Sequence, residues 1–242
     1  MVDSNDWRKE IINDHNFEQK GEFDYQICIK HFDLVSQDLE NLNPYHLLRP
    51  IWEITKAFKA LSTALSVGFS DITSKVQVWR DNIKNFYPDC TSIQDVMKRE
   101  IDLKIHELNG ENNSKYGHKK KTAYYEYTSC TRTLLRLSWF LDFFNNIILN
   151  CCNKEEKTFA DCIKDSYEKA LAPHHPWLVR KGAAVGISLA PSKREKAMKA
   201  FFGEEKWDDE VKVKIMGLSK SIEKVWSYIH NEYEKRGLLE LP

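Results

Sequence analysis

The feature that most constrains the fold is a stripe of apolar residues that runs through residues 47–86. Its members follow one another at intervals of three or four residues, and they are Ile51, Ile54, Phe58, Leu61, Leu65, Phe69, Ile72, Val76, Trp79, Ile83 and Phe86. This spacing is the period of an α-helix with one apolar face, so the segment is predicted to be one long amphipathic helix.

Two charged residues border this stripe. Asp71 and Lys75 are four residues apart, which places them on the same face of a helix. They form either a surface ion pair or a polar site at the mouth of an apolar space. The stripe alone does not decide between these two interpretations.

A second apolar segment, residues 131–150, is predicted to be a central helix. From Leu134 to Leu149, eleven of sixteen residues are apolar, and they surround the helix instead of forming one stripe. The segment is too short, and too often interrupted by polar side chains, to span a bilayer. It is therefore expected to lie inside a packed domain.

Two arginines lie at the start of this central segment. Arg132 and Arg136 share one helix face, and a charge at the edge of a core must be paired. An anionic group is therefore expected to face them. Asp71 is one candidate, and a bound phosphate, which suits the fork of the arginine side chain, is another.

Composition and pattern together predict an all-α fold of about eight helices. Hydrophobic residues make up 42% of the 242 residues, which is enough for a sizeable core. Period-two alternation between turn residues, the signal of strands, is absent. Thirty-six basic and thirty-six acidic residues cancel, so no global charge recruits nucleic acid. Residues 1–22 are polar and are predicted to be a frayed extension, apart from a short helix around Trp7 to Ile12, followed by a single domain over residues 23–242.

The sequence also indicates where the protein is found. The first residues carry no apolar leader segment, and no run of eighteen apolar residues occurs, so a cytoplasmic protein without a membrane span is expected. Six cysteines lack the spacing of metal ligands and are expected to be reduced thiols, and no metal or cofactor is expected. Residues 110–122 form the one clear loop.

Four short segments carry a resemblance to a known family. In chain order they are Asp71-Ile-Thr-Ser-Lys75, Arg132-Thr-Leu-Leu-Arg136, His175-Pro-Trp177 and Leu238-Leu-Glu-Leu-Pro242. Their order and intervals resemble the glycolipid transfer protein superfamily, and most closely its ceramide-1-phosphate branch. The resemblance implies a two-layer helical sandwich that encloses a lipid, and residues 23–242 as one lipid-transfer domain.

The resemblance also implies a role for each matching residue. Asp71 would accept a hydrogen bond from the amide N–H of the ceramide, and His175 would donate one to the amide carbonyl. The phosphate would be held by three cations, Lys75, Arg132 and Arg136. Trp177 would contact the membrane. In the glycolipid branch an Asn replaces Lys75 and a sugar-stacking Trp replaces Arg136, and both differences favour phosphate over sugar.

The expected function is therefore transfer of ceramide-1-phosphate, or a related phosphosphingolipid, between membranes without catalysis. One Lys and two Arg match the charge and the acceptor oxygens of a phosphate monoester. The protein is expected to be a monomer in the cytoplasm that touches membranes transiently. A neutral glycosphingolipid carrier and a lipid-sensing helical adaptor are the alternatives. His174 receives no role, and neither does the loop at residues 110–122.

Overall fold

The structure is a computed structural model that describes residues 7–61, 63–110, 124, 126–154, 156–191, 198 and 208–242. The helices within these ranges are α1 (Trp7–Ile12), α2 (Tyr25–Val35), α3 (Pro44–Leu61), α4 (Thr63–Asn85), α5 (Ile93–Asp102), α6 (Cys130–Asn153), α7 (Phe159–Ala170), α8 (Trp177–Ser188) and α9 (Asp209–Lys235). Apart from α1, each of them has ten or more residues. In these same ranges, β-type pairing is limited to one bridge between Asn109 and Thr128. The predicted all-α fold of about eight helices is confirmed.

The helices pack as two sets around one core. Helices α2, α3 and α4 lie side by side, and so do α9, α6 and α7. Contacts between α2 and α9 and between α4 and α6 join the two sets. Helix α6 contacts α4, α5, α7 and α9, and most of its side chains are buried, as its all-round apolar pattern predicts.

A buried carboxylate fixes the start of α6. Glu100 of α5 is fully buried, and its oxygens accept hydrogen bonds from the Cys130 and Thr131 backbone N–H groups at 2.6 and 2.7 Å. The hydroxyls of Ser129 and Tyr127 donate to the same carboxylate. An anion at a helix N-terminus satisfies backbone donors that have no partner inside the helix. Glu100 therefore sets the position of the first two turns of α6, where both arginines lie.

The prediction of one continuous helix over residues 47–86 is wrong. Phe58 and Phe69 would be about 16 Å apart along a straight helix, yet their ring centroids are 4.0 Å apart. The segment is instead two helices, α3 and α4, that pack against each other. The three- and four-residue spacing continues across the break because both helices turn their apolar faces to the same core.

The start of the chain packs more closely than predicted. Helix α1 lies against α3 and α4, and Trp7, Ile11 and Phe17 are buried in the same core as the other helices. The guanidinium of Arg80 donates to the Ile11 carbonyl and pairs with Asp14. The short helix predicted around Trp7 to Ile12 is confirmed as α1, and the fraying expected after it is wrong for residues 13–17. Residues 1–6 lie outside the described residues.

Other predictions fall partly outside the described residues. The loop at residues 110–122 is described only at its first residue. The sequence also favours a helix over residues 193–202, and that range is described only at residue 198. Within the described part of the chain, the helices lack the length and hydropathy needed to cross a membrane.

Candidate lipid-binding site

An apolar cavity of about 600 Å³ opens between α4, α6, α7 and α8. Aliphatic, aromatic and glycine residues form most of its lining, and they are Phe69, Ile72, Trp139, Phe140, Phe143, Ile163, Leu171, Val179, Gly182, Ala183, Gly186 and Ile187. The polar residues that line it are Asp71, Arg136, Tyr167, His174 and His175. An apolar space of this size with a few polar groups is typical of a small-molecule or lipid site.

Helix α4 contributes the acidic residue and one cation. Asp71 and Lys75 form the predicted i,i+4 pair, with Lys75 Nζ 2.5 Å from Asp71 Oδ1. The Lys75 side chain is only 15% exposed, whereas that of Asp71 is 67% exposed. Burial lowers the pKa of Lys75, the bond to Asp71 opposes this effect, and Arg132 and Arg136 lower the pKa further. The two residues therefore form an ion pair, and Asp71 also lines the cavity, while a role of the pair as a polar binding site stays a prediction.

Helix α6 contributes the two arginines. Arg136 Nη2 donates to the Leu241 carbonyl at 2.8 Å and to the Pro242 carbonyl at 2.5 Å, and Arg132 Nε donates to the same Pro242 carbonyl. Burial lowers the pKa of Arg136 to about 10, and repulsion from Arg132 adds to the effect. These arginines contact backbone carbonyls, whereas Asp71 forms its ion pair with Lys75. Arg132 and Arg136 lower the pKa of Lys75, and Arg132 lowers that of Arg136, so the three cations are close enough to repel one another.

His175 enters the site from the turn before α8. Its Nδ1 lies 2.9 Å from the Tyr167 hydroxyl of α7. Burial lowers the pKa of His175, and the charges of His174 and Lys75 lower it further while Asp71 raises it. The ring is therefore neutral at pH 7. When the hydroxyl donates to Nδ1, the ring proton lies on Nε2, which is then available as a donor.

The structure adds three residues to the site that the sequence did not assign. Tyr167 orients His175, and Trp139 and His174 stack on each other at the cavity wall. Trp139 follows Arg136 by three residues and so lies on the same face of α6. This spacing could have placed Trp139 in the site from the sequence alone. The contacts of Tyr167 and His174 depend on the turn between α7 and α8, which periodicity does not predict.

Trp177 lies apart from the cavity lining. It begins α8 with its side chain 63% exposed, beside Leu178, which is 74% exposed. Lys181 Nζ lies 5.6 Å from the centroid of the Trp177 ring. The exposed face of α8 continues through Val185 and Leu189. An exposed tryptophan beside other apolar side chains and a lysine suits a membrane–water interface.

Comparison with known proteins identifies the family. The sequence pattern that describes the glycolipid transfer protein family matches residues 44–202. The ceramide-1-phosphate transfer protein of Danio rerio is 28% identical over 199 residues, which cover 78% of this chain and 84% of that protein. The one from Xenopus tropicalis is 25% identical over 195 residues, covering 78% and 82% of the two chains. The sequence resemblance is confirmed.

The fold also matches a solved structure. The human ceramide-1-phosphate transfer protein in complex with 2:0 ceramide-1-phosphate superposes with a TM-score of 0.75 at 20% identity, covering 92% of this chain and all of that one. The predicted two-layer helical sandwich of the glycolipid transfer protein fold is therefore confirmed.

Proposed function

Because the chain belongs to the glycolipid transfer protein family, we propose that it carries ceramide-1-phosphate, or a closely related phosphosphingolipid, between membranes. Members of this family are lipid transfer proteins, and the relatives from Danio rerio and Xenopus tropicalis are named for ceramide-1-phosphate transfer. No bond is made or broken in this function, so the site residues bind and position the lipid without catalysing a reaction.

The observation that carries the proposal is the cluster of Lys75, Arg132 and Arg136, of which Arg136 lines the apolar cavity. Burial lowers the pKa of both Lys75 and Arg136, and the charge of Arg132 lowers both further. A phosphate monoester brings nearly two negative charges and three acceptor oxygens, which would relieve this repulsion. A neutral sugar would bring no negative charge to these three cations. The cluster therefore favours a phosphorylated head group.

The amide of the ceramide would be held by the other two polar residues. Asp71 is largely exposed at the mouth and would accept the amide N–H. His175, whose Nδ1 is engaged by Tyr167, would donate from Nε2 to the amide carbonyl. A buried amide needs one acceptor and one donor, and these two side chains supply them. The amide clamp is independent of the head group that the lipid carries.

The tails would enter the apolar part of the cavity. Sphingolipid tails contain roughly thirty methylenes, and at about 0.8 kcal/mol each their exposure to water would cost over 20 kcal/mol. A carrier lowers this cost by offering an apolar interior. The cluster of Phe58, Phe69, Phe140 and Phe143 is part of that interior.

Membrane contact is assigned to α8. Trp177, Leu178 and Val185 are exposed apolar residues on this short helix, and the exposed Leu189 follows directly after it. The same helix lines the cavity with Gly182 and other residues. Because α8 would contact the membrane and also lines the cavity, it would hold the opening of the cavity against the bilayer. In this proposal the protein works as a monomer in the cytoplasm and binds membranes transiently.

A vesicle-to-vesicle transfer assay tests the proposal. Fluorescent ceramide-1-phosphate, galactosylceramide and ceramide are offered to the purified protein, and ceramide-1-phosphate is expected to move fastest. Faster transfer of galactosylceramide would support the glycosphingolipid alternative, for which Trp139 at the cavity wall offers an aromatic ring. Binding of ceramide-1-phosphate without transfer would support a lipid sensor instead of a carrier.

A further inference from the structure

Trp139 places an indole beside the proposed phosphate site. It follows Arg136 by one helical turn and lines the same cavity. The guanidinium carbon of Arg136 lies 5.1 Å from the centroid of the Trp139 ring. An aromatic ring at this place offers a flat surface beside the head group, and such surfaces bind the apolar faces of sugar rings. Taken alone, Trp139 would favour a glycosylated lipid.

His174 covers the Trp139 ring. The two ring centroids are 3.8 Å apart and their planes differ by 3°, so the rings are stacked in parallel contact. His174 is the last residue of the short 3₁₀ turn at Ala172–His174, where its backbone N–H donates to the Leu171 carbonyl at 3.0 Å. The next residue, His175, donates to the Ala172 carbonyl. The backbone hydrogen bonds of this 3₁₀ turn therefore set the positions of both histidines.

The stack contributes a ring to the site instead of a charge. Burial lowers the pKa of His174; Glu240 and Asp142 raise it and Arg136 lowers it, with burial the largest of these effects. The imidazole is therefore neutral at pH 7 and leaves the balance of charge at the three cations unchanged. Its main effect is steric, because it takes up the flat surface that a sugar would need.

We propose that His174 is a specificity-determining residue: stacked on Trp139, it occupies the aromatic face on which the sugar of a glycosylated ceramide would rest, and so excludes that class of lipid from the site. The inference rests on the proposed function, since it explains how this site selects among sphingolipids. A phosphate, which has no apolar face to stack, is held by the cations and does not require the indole.

The proposal is tested with four proteins: wild type, His174→Ala, His174→Phe and the double variant His174→Ala with Trp139→Leu. His174→Ala uncovers the indole. His174→Phe keeps a flat ring on it and removes the imidazole nitrogens. The double variant removes the surface that His174→Ala exposes. The measurement is the ratio of galactosylceramide transfer to ceramide-1-phosphate transfer between vesicles.

His174→Ala is expected to raise this ratio about fivefold, because an aromatic contact contributes roughly the free energy of a two- to tenfold change in affinity. His174→Phe should keep the wild-type ratio, and the double variant should return towards it. No rise in His174→Ala, an equal rise in His174→Phe, or a rise that survives loss of Trp139 would each overturn the proposal. His174 is an exposed residue in a surface turn, and His174→Ser replaces His174→Ala if the latter does not fold.

The wild-type measurement separates the two levels of inference. Failure of wild type to transfer ceramide-1-phosphate would contradict the proposed function, whatever the variants do. Selective ceramide-1-phosphate transfer by wild type, with no gain of galactosylceramide in His174→Ala, would leave the proposed function intact and reject the role of His174.

Discussion

Replacing Arg136 by leucine is the sharpest test of the phosphate site. The side chain is half-buried and lines the cavity, and burial together with Arg132 lowers its pKa to about 10. Burial and repulsion from Arg132 make the charged guanidinium unfavourable in free energy, and a bound phosphate would offset this cost. Arg136→Leu removes the charge and the donors while it keeps an apolar side chain against Trp139.

The size of the effect follows from the bonds that are lost. Hydrogen bonds to charged groups contribute about 1.5–3 kcal/mol, which corresponds to roughly ten- to a hundredfold in affinity. Ceramide-1-phosphate transfer should fall by that factor, and ceramide, which has no phosphate, should be affected much less. Arg136→Lys keeps a point charge without the planar fork and should give an intermediate loss.

Arg99→Leu is the matched control. Arg99 is an exposed arginine on α5 that forms two hydrogen bonds with Asp89, at 2.6 and 2.7 Å, and it does not line the cavity. An exposed pair of this kind contributes about 0–1 kcal/mol to stability. The control should leave lipid transfer unchanged. Transfer of ceramide-1-phosphate by Arg136→Leu within twofold of wild type, in a protein that remains folded by circular dichroism, would refute the phosphate site.

Four further predictions address other parts of the molecule. Asp71→Val should abolish transfer of ceramide-1-phosphate and galactosylceramide alike, because valine cannot accept the amide N–H; transfer of either lipid within twofold of wild type would reject the clamp. Tyr167→Phe should slow transfer of both lipids about three- to tenfold by releasing His175, since a net hydrogen bond contributes about 0.5–1.5 kcal/mol; an unchanged rate would mean that the hydroxyl has no orienting role. Trp177→Ala should weaken binding to sedimented vesicles and leave the melting temperature nearly unchanged, whereas a large drop in melting temperature would show a structural role. Glu100→Gln should lower the stability by about 3 kcal/mol and the melting temperature by roughly 6–12 °C in calorimetry, because an amide leaves buried donors unsatisfied; a change below 2 °C would contradict this account.

Periodicity predicted most of the helices, because their apolar faces all turn toward one core. The start of α5 carries a capping signal in the sequence: Ser92 and Asp95 form a capping box, and the helix begins at Ile93, directly after Ser92. The break between α3 and α4 was missed because the spacing of the apolar stripe does not change there. The contact between Phe58 and Phe69, which no local sequence pattern predicts, makes the break evident.

The site residues were predicted with uneven success, for a physical reason. Asp71, Arg136 and His175 line one cavity, and Lys75 contacts Asp71, whereas the roles of these residues stay predictions. Tyr167 could not be assigned from sequence, because its contact with His175 depends on how the turn between α7 and α8 folds back. Stacking between distant residues has no period and leaves no pattern in a single sequence.

The carbonyls of Leu241 and Pro242 on the two arginines have a kinetic consequence for a carrier. These backbone oxygens accept hydrogen bonds from the guanidiniums of Arg132 and Arg136. Under the proposed function, phosphate uptake would be a substitution in which one set of acceptors on the guanidiniums replaces another. Release at the acceptor membrane would be the reverse substitution, and the returning backbone oxygens would reduce the free-energy cost of losing the phosphate. The net preference for bound lipid would then be smaller than the gross strength of the new bonds, which would shorten the residence time and let one molecule complete many rounds of transfer.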